Sequence, residues 1–215
     1  MTNMKKTISI TVTAVLSAVI ALISFLPIKT LGFSITLSMV PIAVGAIMYG
    51  PAVGAILGAV FGLVSFIQCV IAYDPLGAFL LSVNPYYTFI TCMTRVLAGL
   101  LTGLIFKGLS KLCKGDSLPI ITAGISAALL NTVFFMSSLV ICFIYGADSA
   151  LLGFLQNNGL TSLADIIKGG NILLFVITFV GINGLVEILA GGFLTPPIAK
   201  ALLVFKKKLE HSSKN

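Results

Sequence analysis

Residues 8–26 read ISITVTAVLSAVIALISFL, a run with no charged side chain. About 20 apolar residues cross the hydrocarbon core of a bilayer as a helix, at roughly 1.5 Å per residue. The run follows Lys5 and Lys6, as in a signal peptide, but it is longer than a signal-peptide core and ends without a small-residue cleavage pattern. We therefore interpret it as a retained membrane-spanning helix.

The composition of the whole chain is that of an integral membrane protein. Its 215 residues are 58% hydrophobic and 9% charged, with a mean hydropathy of +1.15, whereas soluble proteins carry about 25% charged residues. The net charge of +7 comes from basic residues near the ends of apolar segments, which indicates membrane topology and argues against nucleic-acid binding. Residues 1–215 are predicted to form one membrane domain.

Six apolar segments predict the fold class: an all-α integral membrane protein, built as a bundle of six transmembrane helices. Lys and Arg lie mainly on the side that holds both ends of the chain, so both termini are predicted to be cytoplasmic. The three outer connections, about 28–34, 73–86 and 147–170, are predicted as polar, turn-rich loops and are candidate gates. The predicted spans are about 8–27, 34–49, 52–72, 87–107, 118–146 and 171–204.

Four polar side chains lie near the middle of predicted spans, where such groups usually have a function. They occur at similar depth on three helices and are therefore predicted to line one cavity: Arg95, Asn131, Asn183 and Glu187. Arg95 offers paired donors to a carboxylate, and the other three suit hydroxyl or amide groups. A structural alternative is an Arg95–Glu187 ion pair that fixes the register of the helices.

Four residues in or next to the outer connections are further candidates for the binding site. Asn84, Tyr86 and Tyr87 are predicted to close over a ligand, although tyrosines are also typical of the membrane interface. Lys29 is placed to meet an anionic solute and competes with Arg95 for that role. The predicted site thus combines a cluster at membrane depth with contacts from outside.

Small residues predict two packing surfaces. In the first span, Ala14 and Ala18 lie one helical turn apart with Ser17 beside them, which gives a flat docking face for another membrane protein. In the third span, Gly54, Gly58 and Gly62 recur every four residues and form a groove for a helix. We favour packing within the chain over a dimer contact for this groove.

The sequence carries no recognisable catalytic or energy-converting motif. It has no H-E-x-x-H, G-x-S-x-G or G-x-x-x-x-G-K-[ST] pattern, and its single histidine, His211, is in the polar tail. Cys69, Cys92, Cys113 and Cys142 have no close spacing and are interpreted as free thiols. We predict no enzyme activity, no cofactor and no metal site.

Several motifs occur in a characteristic order: Ala14-x-x-x-Ala18, VPIAVGA at 40–46, GPAVG at 50–54, NGLVE at 183–187 and TPPI at 195–198. With the six-helix layout, this set resembles the substrate-binding S components of energy-coupling factor (ECF) transporters, the vitamin importers of many bacteria. The resemblance covers nearly the whole chain. It implies a multi-pass protein of the bacterial cell membrane whose first helix docks on a transmembrane coupling subunit, driven by two cytoplasmic ATPases. The S component is thought to topple in the membrane to deliver its vitamin.

Within that family the chain looks most like the pantothenate type, from FGLVS at 61–65, the Pro85 loop, RVL at 95–97 and the Asn-Gly-x-x-Glu pattern. Pantothenate has a carboxylate, an amide and two hydroxyls, which suit an arginine, two asparagines and a glutamate. Folate, riboflavin and cobalamin stay open as alternatives. So does a self-sufficient secondary transporter of a small anionic solute, although no internal repeat relates residues 1–107 to 108–215.

Overall fold

A computed structural model describes residues 2–26, 29–30, 33–34, 37–73, 75–145 and 150–212, and these residues are largely helical. A two-residue antiparallel pairing, β1 (Lys29–Thr30) with β2 (Phe33–Ser34), follows the first helix. The helices are α1 (Thr2–Ser24), α2 (Met39–Tyr49), α3 (Pro51–Val70), α4 (Pro75–Val83), α5 (Pro85–Leu112), α6 (Ser117–Val140), α7 (Ala150–Asn157), α8 (Thr161–Lys168) and α9 (Ile172–Ser212).

The all-α membrane class predicted from the sequence is confirmed. Helices α1, α3, α5, α6 and α9 each contain a stretch long and apolar enough to cross a membrane. The predicted second span corresponds to α2, which has 11 residues and is about 16 Å long at 1.5 Å per residue. Every residue from Met39 to Met48 is buried, so α2 is a core helix among the longer ones. The count of six membrane spans stays a prediction.

The predicted last span, 171–204, is interrupted in the structure. Helix α9 breaks at Gly181, where φ is 41° and ψ is −131°, a backbone conformation that glycine adopts without a Cβ clash. Of the two parts, Gly184–Lys206 is long enough to span, whereas Ile172–Gly181 is shorter. Helix α6 also changes its geometry, ending in a π-helical turn at Ile141–Tyr145. Such turns are frequent at functional sites.

Two of the connections predicted as outer loops are largely helical, and that part of the prediction is wrong. Helix α4 lies within 73–86, and α7 and α8 lie within 147–170. Leu76 and Leu80 of α4 and Leu163 and Ile167 of α8 are buried in one apolar cluster with α6 and α9. Apolar residues four apart make these short segments amphipathic helices, a signal that the neighbouring turn residues conceal.

Helices α3 and α5 pack backbone to backbone along a row of glycines, which we call the glycine seam. A Cβ at Gly54 would meet the carbonyl oxygen of Gly99, and a Cβ at Gly58 would meet that of Arg95. Gly62 continues the seam towards the end of α3. The predicted glycine groove is thereby confirmed as a contact within the chain, because the absence of side chains lets the two backbones approach closely.

Candidate ligand-binding cavity

A cavity of about 180 Å³ opens between α3, α4, α5, α6 and α9, where the glycine seam ends. Its volume is below the range of about 300–1,000 Å³ that holds drug-sized ligands, so it suits a small solute. Most of the wall formed by described residues is neutral, and within it a single guanidinium and a single carboxylate contribute charge. The lining residues are Ser65, Gln68, Cys69, Tyr73, Leu76, Gly77, Leu80, Thr88, Thr91, Cys92, Arg95, Asn131, Thr132, Phe135, Met136, Phe179, Val180, Gly184 and Glu187.

The structure places Arg95 in the cavity wall, on α5, with 8% of its surface exposed. Its Nη1 donates a long hydrogen bond of 3.5 Å to the Cys92 carbonyl oxygen. Its Cζ lies 4.5 Å from the ring centroid of Phe61 and 4.9 Å from that of Phe135. Among the described residues, its buried Nε has no hydrogen-bond partner. A buried donor without a partner is costly, which makes this group a strong candidate for binding an anionic ligand.

Asn131 of α6 and Glu187 of α9 line the same cavity. Asn131 is 8% exposed, and its buried Oδ1 accepts no hydrogen bond from the part of the chain that the structure describes. Glu187 is half-buried and interacts electrostatically with Arg95. The structure thus brings together three of the four groups predicted at membrane depth. The side chain of Asn183 lies outside the described residues, although its neighbour Gly184 lines the cavity.

The residues predicted to close the site from outside have other contacts in the structure. The Asn84 side chain caps α5, accepting hydrogen bonds from the backbone nitrogens of Tyr86 at 3.0 Å and Tyr87 at 3.2 Å. Tyr86 is exposed, and the Tyr87 ring packs edge-on against Phe143 at 6.1 Å. None of the three is among the described residues that line the cavity. Lys29 is in β1, and its side chain lies outside the described residues, so its role and theirs stay predictions.

Several lining residues were missed by the sequence analysis, yet helical spacing from the predicted ones would have found them. Thr88, Thr91 and Cys92 precede Arg95 by seven, four and three residues and share its face of α5. Phe135 follows Asn131 by four residues on α6. The contribution of α4 was missed because that segment was interpreted as a loop. Cys69 and Cys92 both line the wall, and neither forms a disulfide.

The predicted docking face of α1 points away from the bundle. Leu16 and Ile20 are buried against the core, whereas Ala14 and Ala18 are exposed. Ser17 is half-buried, and its hydroxyl donates to the Thr13 carbonyl oxygen at 2.8 Å. The small-residue face is therefore accessible on this chain, and what covers it stays a prediction.

The fold and the cavity define a helical membrane protein with an internal, mainly neutral polar chamber. A family model described as "ECF transporter, substrate-specific component" matches residues 8–199. The match covers most of the chain, and the protein belongs to this family of transporter components, as the resemblance in the sequence indicated. Its members are substrate-binding components, not enzymes. No curated protein sequence matches the chain.

Proposed function

We propose that this protein captures a vitamin and delivers it through an ATPase-driven ECF module. Pantothenate is the vitamin that we favour. The observation that carries the proposal is the buried Arg95 in the cavity wall, with an unpartnered Nε among the described residues. A guanidinium at membrane depth binds a carboxylate through charge-assisted hydrogen bonds. One carboxylate of a small solute would satisfy that requirement.

The remaining wall chemistry favours pantothenate over the other vitamins considered. Thr88, Thr91, Thr132 and Asn131 supply hydroxyl and amide groups, which suit the hydroxyls and amide of pantothenate. Folate has two carboxylates, whereas Arg95 is the one cation in the described wall. A chamber of about 180 Å³ also argues against cobalamin, which is much larger, and riboflavin would favour a more aromatic wall.

The proposed topology has six helices in the membrane and both termini in the cytoplasm of a bacterial cell. Two lysines of α9 form hydrogen bonds to other helices on the side assigned to the cytoplasm. Lys200 Nζ donates to Ser117 Oγ of α6 at 2.8 Å, and Lys206 Nζ donates to the Met48 carbonyl oxygen of α2 at 2.7 Å. Lys107 and Lys111 lie near the same end of α5. This clustering of cations supports the orientation by the positive-inside rule.

The proposed partners are a transmembrane coupling subunit and two cytoplasmic ATPases. Support comes from the exposed Ala14 and Ala18 on α1, where a second membrane protein can approach the backbone closely. Since a tryptophan at either position would hold the partner away without touching the cavity, transport and ligand binding should separate in such a variant.

The test is uptake of labelled pantothenate by cells that contain the chain alone or with a coupling module. We expect uptake only with the module, and its abolition by Ala14→Trp or Ala18→Trp while the purified variants still bind pantothenate. Val133→Trp, on an exposed face of α6, is the matched control and should transport normally. If the α1 variants are folded but no longer bind pantothenate, the docking role of Ala14 and Ala18 is contradicted.

The same experiment distinguishes the proposed ECF component from the alternative, a secondary transporter of an anionic solute. Uptake that persists without the ATPases and collapses with the proton gradient would favour that alternative. Uptake that requires ATP hydrolysis by the partner subunits would exclude it, because this chain has no nucleotide-binding loop.

A further inference from the structure

Two phenylalanines hold the cation of the cavity from neighbouring helices. Phe61 of α3 and Phe135 of α6 place their ring centroids 4.5 Å and 4.9 Å from Arg95 Cζ. Both distances are within the roughly 6 Å at which an aromatic ring attracts a cation, and the attraction is strongest where water is absent. Phe135 lines the cavity, whereas Phe61 is 2% exposed and is not among the described lining residues.

This arrangement determines how the guanidinium can be approached. The N–H donors of a guanidinium point outward in its plane, whereas an aromatic ring attracts the cation through its π face and accepts no ordinary hydrogen bond from it. Nε has no hydrogen-bond partner in the described part of the chain, and Nη1 makes only the long bond to the Cys92 carbonyl oxygen. The edge of the guanidinium is therefore the part left for a ligand, and a carboxylate matches that edge through two parallel hydrogen bonds.

We propose that Phe61 and Phe135 are positioning residues that give the cavity its selectivity for a carboxylate over a neutral group. The inference rests on the proposed function, because it concerns the ligand end that meets Arg95. Phe61 is the sharper case: it contacts Arg95 but is not among the described lining residues, so we expect its effect on the ligand to pass through the position of the guanidinium. Phe135 can also touch the ligand itself.

Calorimetry with two probes tests this proposal: pantothenate, and panthenol, in which an alcohol replaces the carboxylate. In Phe61→Leu we expect pantothenate affinity to fall about tenfold, because the guanidinium is no longer held in place for the carboxylate, while panthenol affinity is unchanged. Phe66→Leu is the matched control on α3, since Phe66 packs against Phe89 at 5.4 Å and does not contact Arg95 in the described contacts. It should alter neither affinity.

An equal loss for both probes would overturn the proposal, because the ring would then only shape the cavity. If Phe61→Leu does not fold, Phe135→Leu takes its place, with the expectation that pantothenate loses more affinity than panthenol. Both outcomes are read as the ratio of the two affinities, which a general loss of stability does not change.

A ligand-free measurement separates failure of this proposal from failure of the proposed function. If the parent chain binds neither probe, the pantothenate assignment fails. The melting temperatures of Phe61→Leu, Arg95→Met and the double variant then test whether the Phe61 ring interacts with Arg95. We expect the two substitutions to couple by about 2–4 °C, the size expected for one such contact in a protein of this length. Additive shifts would show that the ring does not hold the guanidinium.

Discussion

Helices α3 and α5 meet in two different ways along their length. Along the glycine seam their backbones touch, with Gly54 against Gly99 and Gly58 against the Arg95 carbonyl. Beyond Gly62, polar side chains of the same helices, such as Gln68 and Thr88, line a cavity. One pair of helices thus forms both a backbone-to-backbone contact and a wall of the candidate binding site.

The difference shows what each half of the helix pair contributes. In lipid, helices gain little from burying apolar surface against each other, so close packing of small residues supplies their association. Polar groups at the same depth are costly unless they are satisfied. We infer that the seam holds the two helices rigidly, which lets the other half keep a cavity open with Arg95 in its wall.

The largest expected effect comes from breaking the seam. In Gly58→Leu the new side chain would have to enter the space occupied by the Arg95 carbonyl. Because the backbone cannot move aside as a side chain can, we expect a loss of about 3 kcal/mol or more in stability, the upper range for overpacking. Thermal unfolding in detergent measures it. Gly108→Leu, at an exposed glycine of α5 with open space around it, should leave the melting temperature nearly unchanged. Equal melting temperatures for the two variants would refute the seam.

Removing the cation from the cavity should affect binding more than stability. Arg95→Ala is expected to weaken a carboxylate ligand by about 1.5–3 kcal/mol, as for a hydrogen bond to a charged group. Calorimetric titration with pantothenate measures the change, with Lys111→Ala at the exposed end of α5 as the control that should bind normally. An unchanged affinity in Arg95→Ala would remove this arginine from the site.

The smallest expected effect concerns the cap at the start of α5. Because Asn84 Oδ1 accepts hydrogen bonds from two backbone nitrogens of the first turn, Asn84→Ala should cost about 1 kcal/mol of stability, the usual value for a helix cap. Asn84→Asp keeps the acceptor and should restore the melting temperature. If the cap is its whole role, ligand affinity will not change; a clear loss of affinity in a folded Asn84→Ala would instead support the contact with ligand predicted from the sequence.

The two halves of the helix pair also differ in how well the sequence predicted them. The spacing of Gly54, Gly58 and Gly62 indicated the seam because a row of small residues has few other uses in a membrane helix. Arg95 and Asn131 were found because polar groups are rare at that depth. Their role in binding still awaits a test, as does that of every residue assigned to the ligand.

The parts that sequence patterns missed depend on tertiary packing or on single backbone angles. Helix α4 is nine residues long, too short for its apolar spacing to stand out beside the turn residues around it. The break in α9 depends on the positive φ of Gly181, and a glycine inside an apolar run gives no sign of the conformation it adopts. The complete burial of the short α2 was not predicted either, because burial by protein and burial by lipid select the same residues.

The most direct test of the account is calorimetric titration of the purified, folded chain with pantothenate, folate, riboflavin, cobalamin, biotin and thiamine. The account predicts tight binding of pantothenate at one molecule per chain and no comparable heat from the others. Tight binding of a different vitamin would keep the substrate-capturing role and contradict the pantothenate assignment. No binding to any of the six, by protein shown to be folded, would contradict the claim that the cavity around Arg95 is a vitamin site.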